Sequence, residues 1–241
     1  MTPNGFAHRL RAASAPAVGA LAAVTWVGGA AGADRVHPAV VELFQSQGCS
    51  SCPPANANVI ALSERPDVLA LSFQVTYWDQ LGWKDTFASP RYTARQWDYA
   101  RALGHGEVWT PQVVVNGRAD VVGTRKGEIE RLIARNDRAN SGPVVSVDAG
   151  RVTISGAPPA RPSEVWLVRY DPKVVQVAIK SGENGGRTLP HKNIVRELVR
   201  LGAWSGRPFS VALPPASQVG LKAAILVQAG RGGAIVAAAR V

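Results

Sequence analysis

The two cysteines of the chain, Cys49 and Cys52, sit in the stretch SQGCSSCPPANA, residues 46–57. A C-x-x-C pair supports several chemistries: a dithiol that exchanges disulfides, a short structural bridge, or half of a metal site. The flanks favour the first. A β-rich segment, AVVELF (39–44), precedes the pair, and Pro53 and Pro54 follow it where a helix begins. Proline suits a first helical turn, because the amide hydrogens there have no intrahelical partner. Cysteines at a helix N-terminus meet unpaired amides and the positive end of the helix dipole, and both stabilise a thiolate. Cys49 is therefore expected to be the exposed nucleophile and Cys52, a turn further in, the resolving thiol. As a mere bridge the pair closes a very short loop and removes little entropy from the unfolded chain.

Other residues join this reading. Thr110-Pro111 stands directly before the β-rich run QVVVN. In a thioredoxin-like order of elements that bond is cis and faces the dithiol, with Thr110 shaping the edge that receives a substrate. The loop TYWDQLGWKDTFA (76–88) carries Trp78 and Trp83, expected near the cysteines either as a binding platform or as a lid over the core. Asp79 and Asp85 in that loop read as turn-formers. Glu42 lies seven positions before Cys49 and is either a buried proton acceptor for the resolving thiol or a solvated strand-end residue. A Cu(I) site sharing both thiolates with a histidine is a third chemistry, for which His105 is the candidate. No His-rich or Met-rich tract accompanies it, and zinc would want two further ligands at short spacing. No cofactor is expected, since the sulfurs themselves carry the electrons.

The elements that must hold these residues follow from local signals. Strands are expected at 39–44 and 68–75, with a helix between them running to about Glu64 and stopping near Pro66. Ser89 and Pro90 start a second helix with Tyr92, Gln96, Tyr99 and Leu103 on one face, and Gly104 ends it. Asn116-Gly117 sits between two β-rich runs and predicts a hairpin. Thr124 caps a third helix with Ile129, Leu132 and Ile133 inward. After a linker at NSGP (140–143), residues 144–241 read mainly as strands, apart from NIVRELVRL, whose pattern is mixed. The expected fold class is an α/β thioredoxin-like domain over 34–140, followed by a β-rich C-terminal domain over 144–241, a small sandwich of two stacked sheets. The glycine-rich segment GENGGRTLPHKN (182–193) is either a plain connection or a functional loop reaching toward the first domain.

Residues 1–33 read as an export signal. Arg9 and Arg11 precede an apolar run from Ala17 to Ala31, which ends in Ala31-Gly32-Ala33, an A-x-A cleavage pattern. The mature chain is then 34–241, periplasmic or secreted, with no stable membrane insertion after cleavage. Its loss of two arginines and no acids takes the net charge from +10 to +8. The arginines are scattered and lack interleaved aromatics, which argues against nucleic acid as a partner.

Four blocks, VELFQSQGCSSCPPANA, YWDQLGWKDTFASPRYTARQ, TPQVVVNGRADVVG and GENGGRTLPHKNIVREL, together resemble the bacterial secreted-protein family catalogued as domain of unknown function 1223. The resemblance implies a thioredoxin-like domain carrying the dithiol, followed by a β-rich region. It implies no reaction. From the residues, the expected activity is thiol–disulfide exchange with protein thiols or disulfides of the cell envelope, using Cys49, Cys52 and Pro111. The rival expectation is a binding module on the same scaffold with its disulfide permanently closed.

Overall fold

The computed structural model describes residues 1–2, 4, 32–136 and 142–241. The expected export segment lies almost wholly outside these residues, as do Asn140 and Ser141 of the expected linker. Among the described residues, no helix is long and apolar enough to cross a membrane.

The first half runs β1 (Ala39–Gln45), α1 (Cys52–Leu62), β2 (Val68–Gln74), α2 (Pro90–Leu103), β3 (Gln112–Val115), β4 (Ala119–Val122) and α3 (Lys126–Arg135). β1 pairs with β2 in parallel and with β3 antiparallel, and β3 pairs with β4 across the Asn116-Gly117 turn. Both turn residues have positive φ, 48° and 61°, the conformation that Asn-Gly tolerates best. Helix α2 obeys its punctuation: the Ser89 hydroxyl accepts from the Arg91 amide, Pro90 opens the first turn, and Gly104 ends it in the left-handed region. Helix α3 differs from expectation, since Arg125 rather than Thr124 occupies its N-cap and contributes no side-chain bond.

The second half is β5 (Val144–Asp148), β6 (Arg151–Ser155), β7 (Ser163–Asp171), β8 (Val175–Ala178), β9 (Thr188–His191), β10 (Ile194–Trp204), β11 (Phe209–Ala212), β12 (Lys222–Ala229) and β13 (Ile235–Arg240). The mixed segment 193–201 falls, from Ile194 onward, within the long strand β10. Register shifts at Val195/Glu197 and Arg200/Gly202 break its alternation, which is why the pattern did not read as a strand.

The overall class is mixed α/β, dominated by one eight-stranded sheet in the order β13-β12-β7-β10-β2-β1-β3-β4. The small sandwich expected for 144–241 is thus not free-standing. β5, β6 and β11 form a three-stranded sheet that packs on Val165, Leu167, Ile225 and Val227, but the larger sheet beneath it continues into the first half. The junction is β10 against β2: Ile194 pairs with Ser72, the Ser72 amide donates to the Asn193 carbonyl (2.9 Å), and the Asn193 side chain donates to the Ala70 carbonyl (2.7 Å).

Strand alternation sorts the core into faces. Val40, Phe44, Leu69, Leu71 and Phe73 point toward α2, whose Tyr92 and Tyr99 complete that cluster with β7, β10 and β12 residues. Ala39, Val41, Leu43, Val68 and Ala70 point the other way, under Ala55, Val59 and Leu62 of α1 and Ile129 and Ile133 of α3.

Candidate functional site

The site forms where β1 ends. A tight turn follows, in which the Gly48 amide donates to the Ser46 hydroxyl (3.1 Å) and the Cys49 amide to the Ser46 carbonyl (3.2 Å). Cys52 then opens α1, with Pro53 and Pro54 in the first turn. Cys49 and Cys52 are joined in a disulfide. Both are buried, at 0 % and 1 % exposure. The expected exposed Cys49 is therefore corrected, and the physical reason is a pair of covers laid over the turn.

The first cover is the aromatic loop. The Asp85 carboxylate accepts from the Gln47 amide (2.7 Å) and the Phe87 amide (2.8 Å), while Gln47 Oε1 accepts from Trp83 Nε1 (2.9 Å) and the Thr86 amide (3.2 Å). Asp85 is a turn-former, as expected, but a buried one that fixes the turn before the cysteines. Trp78 is half-buried against the core beside α2, and Trp83 packs with Val177, Ile179 and Leu189. In this state the two tryptophans form a lid rather than an open platform.

The second cover is the hairpin β8–β9 with its connecting segment, the glycine-rich stretch singled out in the sequence. Asn184 is fully buried and donates to the carbonyls of Gln47 and Cys49, both at 2.9 Å. The Glu183 carboxylate accepts from the Ser50 amide (3.1 Å) and hydroxyl (2.6 Å). Ser181 bonds the Gly82 carbonyl, and Asn56 of α1 bonds the Pro190 carbonyl. The covers also touch one another: a Cβ on Gly182 would lie 3.2 Å from that of Trp83, and the positive φ of Gly182, 72°, suits glycine.

Thr110-Pro111 is a cis bond, as the order of elements implied. Pro111 is buried next to the first turns of α1: a Cβ on Gly123 would lie 2.8 Å from Ala55 Cβ and 3.3 Å from Pro111 Cβ, so only glycine lets them meet. Tyr77 is buried close to Thr110 and Gln96, and burial pushes its phenol up to about 12.

Glu42 is neither the proton acceptor nor the solvated residue expected. It lies between Val40 and Phe44 on the α2 face of the sheet, opposite α1 and Cys52. There Arg95 grips it bidentately, Nε to Oε1 at 2.7 Å and Nη2 to Oε2 at 3.2 Å, and Tyr99 Oη donates to Oε2. Arg95 also reaches Gln228 of β12 (3.1 Å), tying the two halves of the chain. His105 pairs with Asp120 at 3.1 Å and stacks edge-on against Trp109. Among the described residues no group of three His, Cys, Asp or Glu side chains is arranged to hold a metal.

A family model described as protein of unknown function (DUF1223) matches residues 40–228. The chain belongs to this family. A crystal structure of an Agrobacterium tumefaciens protein from a structural-genomics programme is 32 % identical to it, with a TM-score of 0.70 over 87 % of this chain and 94 % of that one. HBP35 of Porphyromonas gingivalis shares only 13 % identity, with a TM-score of 0.54 over 86 % and 75 % of the two chains, a likeness of fold alone. No curated protein matches the chain in sequence.

Two titratable groups in the covers of this DUF1223 chain pull stability in opposite directions. Burial raises the Asp85 carboxyl from 3.8 to about 6, so the folded state holds a proton that the unfolded state has released, and stability falls as pH rises from about 4 to 6. Burial lowers His191 from 6.5 to about 4, neither ring nitrogen having a hydrogen-bond partner among the described residues, so stability falls as pH drops through 6.5 toward 4. Each effect is up to about 3 kcal/mol. Denaturant titrations at pH 4.5 and 7 are expected to show near-cancellation in the native protein. Asp85→Asn should become markedly less stable at pH 4.5 than at 7, and His191→Leu more stable. Equal pH profiles for all three would show that neither group is desolvated.

Proposed function

We propose that the chain is an exported thioredoxin-like protein whose Cys49–Cys52 pair exchanges disulfides with protein thiols of the cell envelope, and that the capped disulfide is its resting form. The observation that carries this reading is the placement of the pair at the N-terminus of α1, off the end of a central strand, with Pro111 beside the first turns of that helix. The order β1-α1-β2-α2-β3-β4-α3, with strands arranged β2-β1-β3-β4, supports the thioredoxin-like reading. Export rests on the pattern of residues 1–33, and the cell-envelope location of the partners rests on export.

The exchange proceeds in two displacements. With the covers lifted, a substrate thiolate attacks Cys49 Sγ, a mixed disulfide forms, and Cys52 leaves as thiolate and takes a proton. A second substrate thiolate attacks the substrate sulfur of the mixed disulfide, and Cys49 leaves. The substrate departs as a disulfide, having passed two electrons to the pair. The reverse sequence reduces a substrate.

Cys52→Ser, reduced and mixed with a peptide disulfide, is expected to accumulate a mixed disulfide at Cys49 that mass spectrometry detects, and Cys49→Ser to accumulate none. Equal trapping by both variants would defeat the assignment of roles. The complete burial of both sulfurs favours a second reading, a binding scaffold around a closed structural bridge. A reduction potential below about −300 mV would support that bridge, and a higher one with turnover of the peptide would support exchange.

A further inference from the structure

The cap is fastened at a chemically specific point. Glu183 places its carboxylate on the backbone amide and hydroxyl of Ser50, the residue between Cys49 and the N-cap of α1. A helix N-terminus favours one negative charge there, through its free amides and dipole. The disulfide is neutral, so Glu183 supplies that charge in the oxidised protein. Its bonds to Ser50 hold the carboxyl below its usual range.

Reduction changes the local charge. A thiolate formed on Cys49 by reduction would be favoured by this helix end, one residue from the Glu183 contact. That thiolate, on a sulfur that lies 3.4 Å from the Ser51 hydroxyl in the oxidised protein, and the Glu183 carboxylate on Ser50 then share one helix end, where like charges repel and the bonds that hold Glu183 are exposed. Of the charged groups in the two covers, Arg187 bonds the side-chain oxygen of Asn184 (2.7 Å), Asp85 accepts from the Gln47 and Phe87 amides, and Lys84 and Lys180 are exposed to solvent. His191, on β9, is buried with no hydrogen-bond partner among the described residues and lowered by burial, so it brings no compensating cation.

We propose that Glu183 is a redox-sensing latch: it holds the cap shut over the disulfide and is expelled when reduction places a thiolate on Cys49. The cap would then close over the oxidised pair and open over the reduced one. This rests on the exchange reading only in requiring that the pair be reduced at some stage.

The test is hydrogen exchange of the Gly185, Gly186 and Arg187 amides, which bond to carbonyls of 182, 179 and 184 in the closed cap. The full chain is compared at pH 8 with its disulfide intact and after reduction by dithiothreitol. The reagent breaks the S–S bond, passes two electrons to the pair and leaves as its own cyclic disulfide, and Cys49 releases its proton to solvent. Exchange of these amides is expected to quicken at least tenfold on reduction in the native chain. In Glu183→Gln, which keeps a hydrogen-bonding oxygen but carries no charge, it is expected to change less than twofold. Exchange in the native chain that ignores reduction would overturn the latch, as would equal quickening in Glu183→Gln, which would assign the opening to loss of the bridge itself. The exchange reading fails separately, if Cys52→Ser traps no mixed disulfide while the cap still opens on reduction.

Discussion

Cutting Asn184 back to alanine is expected to speed reduction of the Cys49–Cys52 disulfide by about 100-fold. Asn184 is fully buried and its amide group serves two carbonyls of the cysteine turn, those of Gln47 and Cys49. Alanine removes both bonds: the Gln47 carbonyl is left desolvated, at about 1–3 kcal/mol for an unsatisfied group, and the Cys49 carbonyl, which keeps the Cys52 amide (3.1 Å), loses a second bond of about 1 kcal/mol. The loss falls on the closed state of the cap alone, because in the open state the same carbonyls meet water. A shift of about 3 kcal/mol in that local equilibrium enlarges the open population roughly 100-fold. The rate of reduction by dithiothreitol follows that population as long as closing outruns attack. Pseudo-first-order reduction kinetics on the native chain and Asn184→Ala, with global stability measured alongside, checks the expectation. An unchanged rate in a variant that remains folded would mean that the sulfurs are sheltered by something other than the cap.

The second large effect lies on the opposite face of the sheet. Arg95→Leu is expected to cost about 3–5 kcal/mol, because it strands the Glu42 carboxylate in the core with only the Tyr99 hydroxyl for company. For a chain of this size that is roughly 10 °C in melting temperature. Glu42→Leu combined with Arg95→Leu is expected to regain most of the loss, since no unpaired charge then remains buried. Urea denaturation of the native chain, the two single variants and the double variant checks this. Strictly additive losses would show that the two side chains are not energetically coupled.

Much of the first half was legible because its signals are local. Pro53-Pro54, Ser89-Pro90, Gly104 and Asn116-Gly117 each fix a backbone conformation by their own sterics, so the elements around them could be placed without knowing their neighbours. The segments that meet at the cysteine turn, the tryptophan loop and the glycine-rich stretch, stand out in the sequence by composition. The closure they make over Cys49 does not. Whether Cys49 is exposed depends on Glu183 and Asn184, more than 130 positions away, and nothing in the local chemistry of either residue points to Ser50 or Cys49. Glu42 was the clearest lost clue. A carboxylate inside an apolar strand requires a buried partner, and Arg95 lies on α2 between Tyr92 and Tyr99, the face already read as inward. A cation there reads as solvent-facing unless the strand's unmet charge is carried across to the helix. The joining of the two halves was hidden by β10, whose two bulges erase the alternation that marks a strand.

The seam between β2 and β10 has a bearing on biogenesis. During synthesis the edge of β2 is finished long before its neighbour, because Ser72 waits for Ile194 to be made. Until then the nascent first half presents an unprotected strand edge and an uncovered apolar flank, both of which invite clumping with other chains. A chain of this design gains from being kept unfolded until it is complete, and a fragment ending near the midpoint would be sticky rather than a free-standing miniature of the whole.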